Sequence, residues 1–197
     1  MGKQAAWPGV WIQESRQIGL MMVSYAADHD GKFPDGNTST EVFQKLIDEN
    51  YGNDPTIFYI PLPGKTKPLA GQKLKPENVC WDVTSGLDQN SPDELPVIFM
   101  TGYLVAYAPG CSAVPIIKPY PQFGAEPRTW ILWWRGYPTP SPGLPGIAVL
   151  YKSYWAMFKK METAPNGHRL IPNFISPNFK PDGKTYRQLT PDGPLPR

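Results

Sequence analysis

The stretch that decides the fold runs Ser15-Arg16-Gln17-Ile18-Gly19-Leu20-Met21-Met22-Val23-Ser24-Tyr25-Ala26-Ala27-Asp28-His29-Asp30-Gly31-Lys32-Phe33-Pro34. Trp11, Ile18, Met22, Tyr25 and His29 recur at helical spacing, so one stripe of a helix over residues 10–30 faces a core. Gly31 suits the left-handed position beyond a helix C-terminus, and Pro34 prevents the helix from resuming. An amphipathic helix of this length needs a partner layer, and the rest of the chain supplies strand signals for one.

Working outward, Gly36-Asn37 reads as a turn. Thr38 stands three residues ahead of Glu41, the spacing of a capping box, and opens a short helix with Val42, Phe43, Leu46 and Ile47 on one face. Asp54-Pro55 punctuates, Thr56–Ile60 reads as a brief extended piece, and Gly64–Pro76 is a polar loop. Asn78–Thr84 alternates with Val79, Trp81 and Val83 on one side, a half-buried strand, and Leu95–Met100 is its antiparallel partner. Gly146–Tyr151 and Tyr154–Phe158 form a second hairpin around Lys152-Ser153, a poor pair for a two-residue turn. The chain is therefore read as one α+β domain, residues 1–197. Its parts are a helix stem (10–30), a short helix and first hairpin (36–102), a Pro- and Trp-rich insertion (103–145), a second hairpin (146–160) and a C-terminal tail (161–197).

Composition limits the function classes. The chain has 197 residues, enough for a real core, and 41% of them are hydrophobic, which argues against general disorder. A net charge of +2, with Lys and Arg scattered, excludes a nucleic-acid surface. The 25 Pro residues forbid long central strands, and the aromatics let a loop-rich fold bury large area with few residues. Cys80 and Cys111 are too few and too far apart for a zinc site. A disulfide between them and two reduced core cysteines are both open readings. No run approaches the ~20 apolar residues of a membrane span.

The opening stretch resembles the end of the long first helix of bacterial type II secretion pseudopilins and type IV pilin-like proteins. The likeness is strongest to the prepilin set of Planctomycetes and Verrucomicrobia, in which an R-Q-I-G-L…Y-A…D-x-D-G-x-F-P run is common. Asp54–Pro61 resembles that family's D-P-x-x-F-x-C-P element, with Ile60 where cysteine is frequent. Glu77–Trp81, Gly86-Leu87 and Ser91–Val97 resemble its following hairpin, and Gly146–Tyr151 the strand before an A-D-G-H-V turn. Here that turn reads Lys152-Ser153-Tyr154-Trp155-Ala156, so any role of the Asp-Gly-His signature does not carry over.

The resemblance implies a pilin-like head, a helix seated on an antiparallel sheet. It also implies a non-enzymatic structural subunit of a type II secretion or type IV pilus-like envelope assembly that packs through its first helix. Ile18, Met21, Met22 and Tyr25 are the expected assembly-helix residues. An ordinary docking helix would bury the same four. Other pilin-like subunits and the secretion or pilus machinery are the implied partners. The implied localisation is the inner membrane and periplasm, or an extracellular filament. Met1-Gly2-Lys3 reads as a start placed where a native leader and membrane helix have been removed.

Chemistry-bearing residues are sparse. Asp28-His29-Asp30-Gly31 carries cation-binding residue types but lacks the later acidic ligands of a calcium loop, and a polar helix C-terminus explains it. His168 sits in a polar loop. No nucleophile elbow, paired metal histidines or phosphate-cradling loop is present, so no catalytic residue, cofactor or metal is expected. Trp130, Trp133, Trp134, Tyr137, Tyr154 and Trp155 cluster where the chain departs most from the family. One face of that region belongs to a core. The other is covered by the insertion or presents aromatics to a ligand, which defines the alternative: an exported binding module for carbohydrate or protein.

Overall fold

The structure is a computed structural model that describes residues 7–62, 65–116 and 146–194. It opens with helix α1 (Trp7–Asp28) and helix α2 (Ser39–Asp48). The strands follow: β1 (Trp81–Ser85), β2 (Pro96–Met100), β3 (Tyr103–Val105), β4 (Ala113–Pro115), β5 (Gly146–Tyr151), β6 (Ala156–Lys160), β7 (Glu162–Thr163), β8 (Arg169–Leu170), β9 (Arg187–Thr190) and β10 (Gly193–Pro194). Six of them form one antiparallel sheet in the order β10-β9-β1-β2-β5-β6. An N-terminal helix on an antiparallel sheet is the expected α+β class.

Helix α1 stops as its sequence requires. The Gly31 amide reaches back to the Ala26 carbonyl at 2.8 Å, with Asp30 at φ +52° and Gly31 at φ +75°. This is the pattern in which a left-handed residue closes the last turn and the next amide satisfies an orphan carbonyl. Asp30 takes the first left-handed position and Gly31 the second. A Cβ at Gly31 would fall 2.5 Å from the Gln89 side chain. Helix α2 starts on its expected cap: Thr38 accepts the Glu41 amide at 3.0 Å, and Glu41 reaches back to the amide of Asn37 at 2.8 Å.

The sheet register sorts the core into two halves. Val83, Ile98 and Leu150 lie side by side across β1, β2 and β5, and Leu150 packs on Gly19 of α1. A Cβ at Gly19 would come within 2.1 Å of Leu150, so the absent side chain sets how closely α1 lies on β5. Trp11 approaches Phe158 of β6, with ring centroids 6.0 Å apart. Helix α2 covers β1 and β9, and its Phe43 stacks on Phe58 at 4.5 Å.

Asp82, Phe99 and Val149 line the opposite face. The β3–β4 hairpin and residues 171–179 cover it. Phe174 meets Phe99 edge-on at 5.4 Å, and its carbonyl accepts the Tyr151 hydroxyl. Fully buried Asp82 accepts from Gln188 at 2.6 Å, and Gln188 also bonds the Tyr103 carbonyl and the Val105 amide.

Four expectations change. Asn78–Thr84 is not half-buried: every residue of β1 is buried because the sheet is covered on both faces. Thr56–Ile60 does not begin extended; Asp54 caps a short 3-10 helix over Pro55–Phe58 through its bond to the Thr56 amide. That is the local preference of an Asp followed by a Pro at the first helical position.

The β5–β6 turn has three residues, Lys152 to Tyr154. The Tyr154 amide bonds the Tyr151 carbonyl, Tyr154 sits at φ +62°, and the Tyr151 amide bonds the Trp155 carbonyl. Lys-Ser disfavours the two positive φ values of a primed two-residue turn, and the chain takes a longer one with a left-handed third residue. Finally, residues 161–194, the described part of the expected tail, belong to the sheet and its cover. β9 is an interior strand, and Ile171, Phe174, Ile175 and Phe179 are buried.

If the C-terminal segment is core, Phe174→Ala should cost about 3–5 kcal/mol, as for other buried aromatics. Urea unfolding checks this; a loss near zero would return the segment to the status of a tail.

Candidate interaction surfaces

Ile18, Met21, Met22 and Tyr25 are all buried in the domain's own core. They form the seat of the domain on α1 and are unavailable to another chain. What α1 leaves outward is a mixed stripe that includes Val10, Gln13, Gln17, Leu20 and Ser24. Leu20 is the most open apolar residue on it, at 67% exposed.

Glu14, on the same helix, is part-buried. Its Oε2 is buried without a hydrogen-bond partner among them, and burial pushes its carboxyl up to about 7. No sequence signal marks it, because a lone Glu in a helix ordinarily reads as solvated.

The Asp28–Gly31 segment is engaged inside the domain. The His29 ring stacks on Tyr25 at 3.7 Å, its Nδ1 faces the Tyr25 carbonyl at 2.8 Å, and its Nε2 lies 3.3 Å from Glu49. Asp28 accepts the Tyr51 hydroxyl at 2.9 Å. These contacts tie the end of α1 to the end of α2. Among the described residues no three His, Cys, Asp or Glu side chains converge as metal ligands. His168 is exposed in its loop, where its amide bonds Asn166.

Cys80 and Cys111 are separate free thiols, which sets aside the disulfide reading. Cys80 is buried, its sulfur lies 3.2 Å from both the amide and the carbonyl of Ile60, and burial pushes its thiol up to about 12. It behaves as a small packing residue. Tyr103, Tyr107 and Tyr151 are likewise pushed upward, chiefly by burial.

Near the C-terminus, Lys184 bridges Asp88 at 2.6 Å and Asp182 at 3.8 Å. Hydrogen bonds, from Lys184 to Asp88 and from Tyr186 to Asp182, hold both carboxyls below their usual range. This exposed network pins the segment ahead of β9 to the loop after β1.

Of the aromatics singled out in the sequence, Trp130, Trp133, Trp134 and Tyr137 lie outside the described residues. Tyr154 and Trp155 stand at the tip of the β5–β6 hairpin, 54% and 66% exposed. No family model, no curated protein and no solved structure matches this chain.

Glu14 gives a pH signature. Its folded-state value lies above its ordinary 4.5, so between about pH 4.5 and 7 the folded chain holds a proton that the unfolded chain has released. Stability therefore falls as pH rises through that window. Glu14→Gln should stabilise the protein by about 1–2 kcal/mol at alkaline pH, less than the full shift implies because the side chain is part-exposed, and by nothing at acid pH. Urea titrations of both proteins across the window read the difference; a gain independent of pH would reject the assignment.

Proposed function

We propose that this chain is the head of a pilin-like or pseudopilin-like subunit, a non-enzymatic structural component of a type II secretion or type IV pilus-like assembly in the cell envelope. The observation that carries the reading is the placement of α1. It is the first element among the described residues, 22 residues or roughly 33 Å long, and lies against β5, β6 and β2 with its inner stripe buried. The R-Q-I-G-L and D-x-D-G-x-F-P phrases fall at physically meaningful points of it. Gly19 permits the close approach to β5, and Asp30 and Gly31 close the C-terminus.

In this reading the buried residues of α1 hold the head, and the outward stripe is the surface by which neighbouring subunits stack. Variable head loops then set what the assembly touches. No helix among the described residues is long and apolar enough to cross a membrane. The reading therefore requires an apolar segment ahead of Trp11 in the native protein, serving as anchor before assembly and as fibre core after it.

The decisive experiment is to sequence the N-terminus of the mature protein from its own cells. An apolar stretch of ~20 residues ahead of Trp11, beginning just after a processed leader, supports the proposal. A mature chain beginning near Met1 rejects filament assembly.

Leu20→Glu tests the outward stripe. It should change monomer stability by less than about 0.5 kcal/mol, the usual range for surface substitutions. In cells it should abolish the ladder of cross-linked subunits. An undiminished ladder would remove this face of α1 from the subunit contact.

A further inference from the structure

We propose that the loop of residues 65–77 docks the domain on an anionic lipid bilayer, with Leu69 entering the interface and Lys67, Lys73 and Lys75 meeting the headgroup phosphates. The contact goes beyond filament assembly and does not depend on it. Three observations carry it.

The first is where the positive charge lies. Residues 65–76 hold four lysines, Lys65, Lys67, Lys73 and Lys75, and no carboxylate. The whole chain has 19 basic and 17 acidic residues, so acidic groups outnumber basic ones in the remainder. Lys67, Lys73 and Lys75 are exposed and join no salt bridge among the described residues. Lys65 is half-buried at the base of the loop, where its Nζ donates to the Pro76 carbonyl at 2.8 Å. Asp54 lies within the field of Lys67: hydrogen bonds from Thr56 hold its carboxyl below the usual range, and Lys67 adds to that.

The second is the build of the loop. Its ends are closed by the Thr66 amide on the Glu77 carbonyl at 2.8 Å and the Asn78 side-chain amide on the Thr66 carbonyl at 2.9 Å. Pro68 and Leu74 are buried, and the Leu74 amide bonds Gln44 of α2 at 2.7 Å. Between these anchors the chain turns at Leu69–Gln72. There the Gln72 amide bonds the Leu69 carbonyl at 3.2 Å, and Gly71 takes φ +75°. All four turn residues are exposed, Leu69 at 63%, and a Cβ at Gly71 would find no atom within 4 Å. The turn thus stands clear of the domain on a fixed base, which limits the ordering cost of binding.

The third is the order of residue types. Leu69 lies in the turn, Lys67 precedes it by two residues and Lys73 directly follows the turn. Covalent geometry alone keeps the Cα atoms of both lysines within about 7 Å of the turn. An apolar residue in the projecting turn with lysines one step behind matches the depth profile of a bilayer surface. The leucine reaches the acyl boundary while the lysine stems carry their ammonium groups at the phosphates. A nucleic acid would gain nothing from Leu69, and residues 65–77 offer no aromatic for base stacking. The acidic balance of the rest of the chain disfavours other approaches to an anionic surface.

The test is co-sedimentation of the 197-residue chain with phosphatidylcholine vesicles, without and with phosphatidylglycerol, at millimolar lipid and low salt. Retention should grow with the phosphatidylglycerol fraction and disappear in phosphatidylcholine alone or at high salt. Lys67→Gln, Lys73→Gln and Lys75→Gln together should weaken it more than tenfold, at roughly fivefold per lysine. Leu69→Ser should weaken it about three- to tenfold while leaving the salt dependence in place. Lys32→Gln, Lys160→Gln and Lys180→Gln together make the same change in net charge at exposed positions elsewhere, and should weaken it less than about twofold. Because every substitution is at an exposed side chain, Tm should stay within about 2 °C of the parent. No retention on phosphatidylglycerol vesicles, equal losses from the two lysine triples, or undiminished affinity of Leu69→Ser each overturns the inference. The last outcome would favour an acidic protein that reads charge alone.

Discussion

The sheet cannot be left bare on either side, and most of the architecture follows from that. All residues of β1, β2 and β5 are buried, in strands whose two faces carry Val83, Ile98 and Leu150 on one side and Phe99 and Val149 on the other. A sheet that is apolar on both faces must be the middle of three layers. The first cover is helical and contiguous in sequence, α1 and α2. The second is assembled from the β3–β4 hairpin and residues 171–179, segments with little regular structure that contribute Phe174 and Ile175 as plugs. Pro-rich composition suits that second cover, because irregular chain can drape over a sheet without presenting a new edge.

Within the first layer, a missing side chain does as much as those present. Gly19 lets α1 settle on Leu150, and the helix axis can then approach β5 more closely than any larger residue would allow. The stacking of Phe43 on Phe58 fills the neighbouring volume beneath α2. The one discordant group in α1 is Glu14, whose carboxylate is partly enclosed where its neighbours Trp11, Ser15 and Ile18 are buried.

Much of the helical layer was legible in the sequence because its signals are local. The 3.6-residue stripe of α1, the Thr38–Glu41 cap and the stop at Gly31 each depend on residues within one or two turns. The hairpin strands were legible for the same reason, although alternation in Asn78–Thr84 suggested one buried face where there are two. The C-terminal segment was not legible. β9 is four residues long, Arg187-Gln188-Leu189-Thr190, and only Leu189 is apolar. Its place in the sheet comes from pairing with β1 and from Gln188 reaching Asp82, contacts about a hundred residues away in the chain that no local pattern encodes. The site residues divide likewise: exposure of Tyr154 and Trp155 follows from the turn geometry, and the isolation of Glu14 follows from tertiary packing.

The position of β9 also bears on how the protein is made. β1 has β2 on one side, available soon after synthesis, but its other edge stays open until residues 187–190 arrive. Because that closure joins strands about a hundred residues apart, it carries a large loop entropy and belongs to the slow, late part of folding. Until then the nascent protein displays the backbone edge of a strand whose side chains are wholly apolar or buried in the finished fold, the kind of surface that invites pairing with another copy. A chain with this wiring gains from being held unpaired until β9 emerges, so its yield depends on the handling of the nascent chain as much as on the stability of the finished fold.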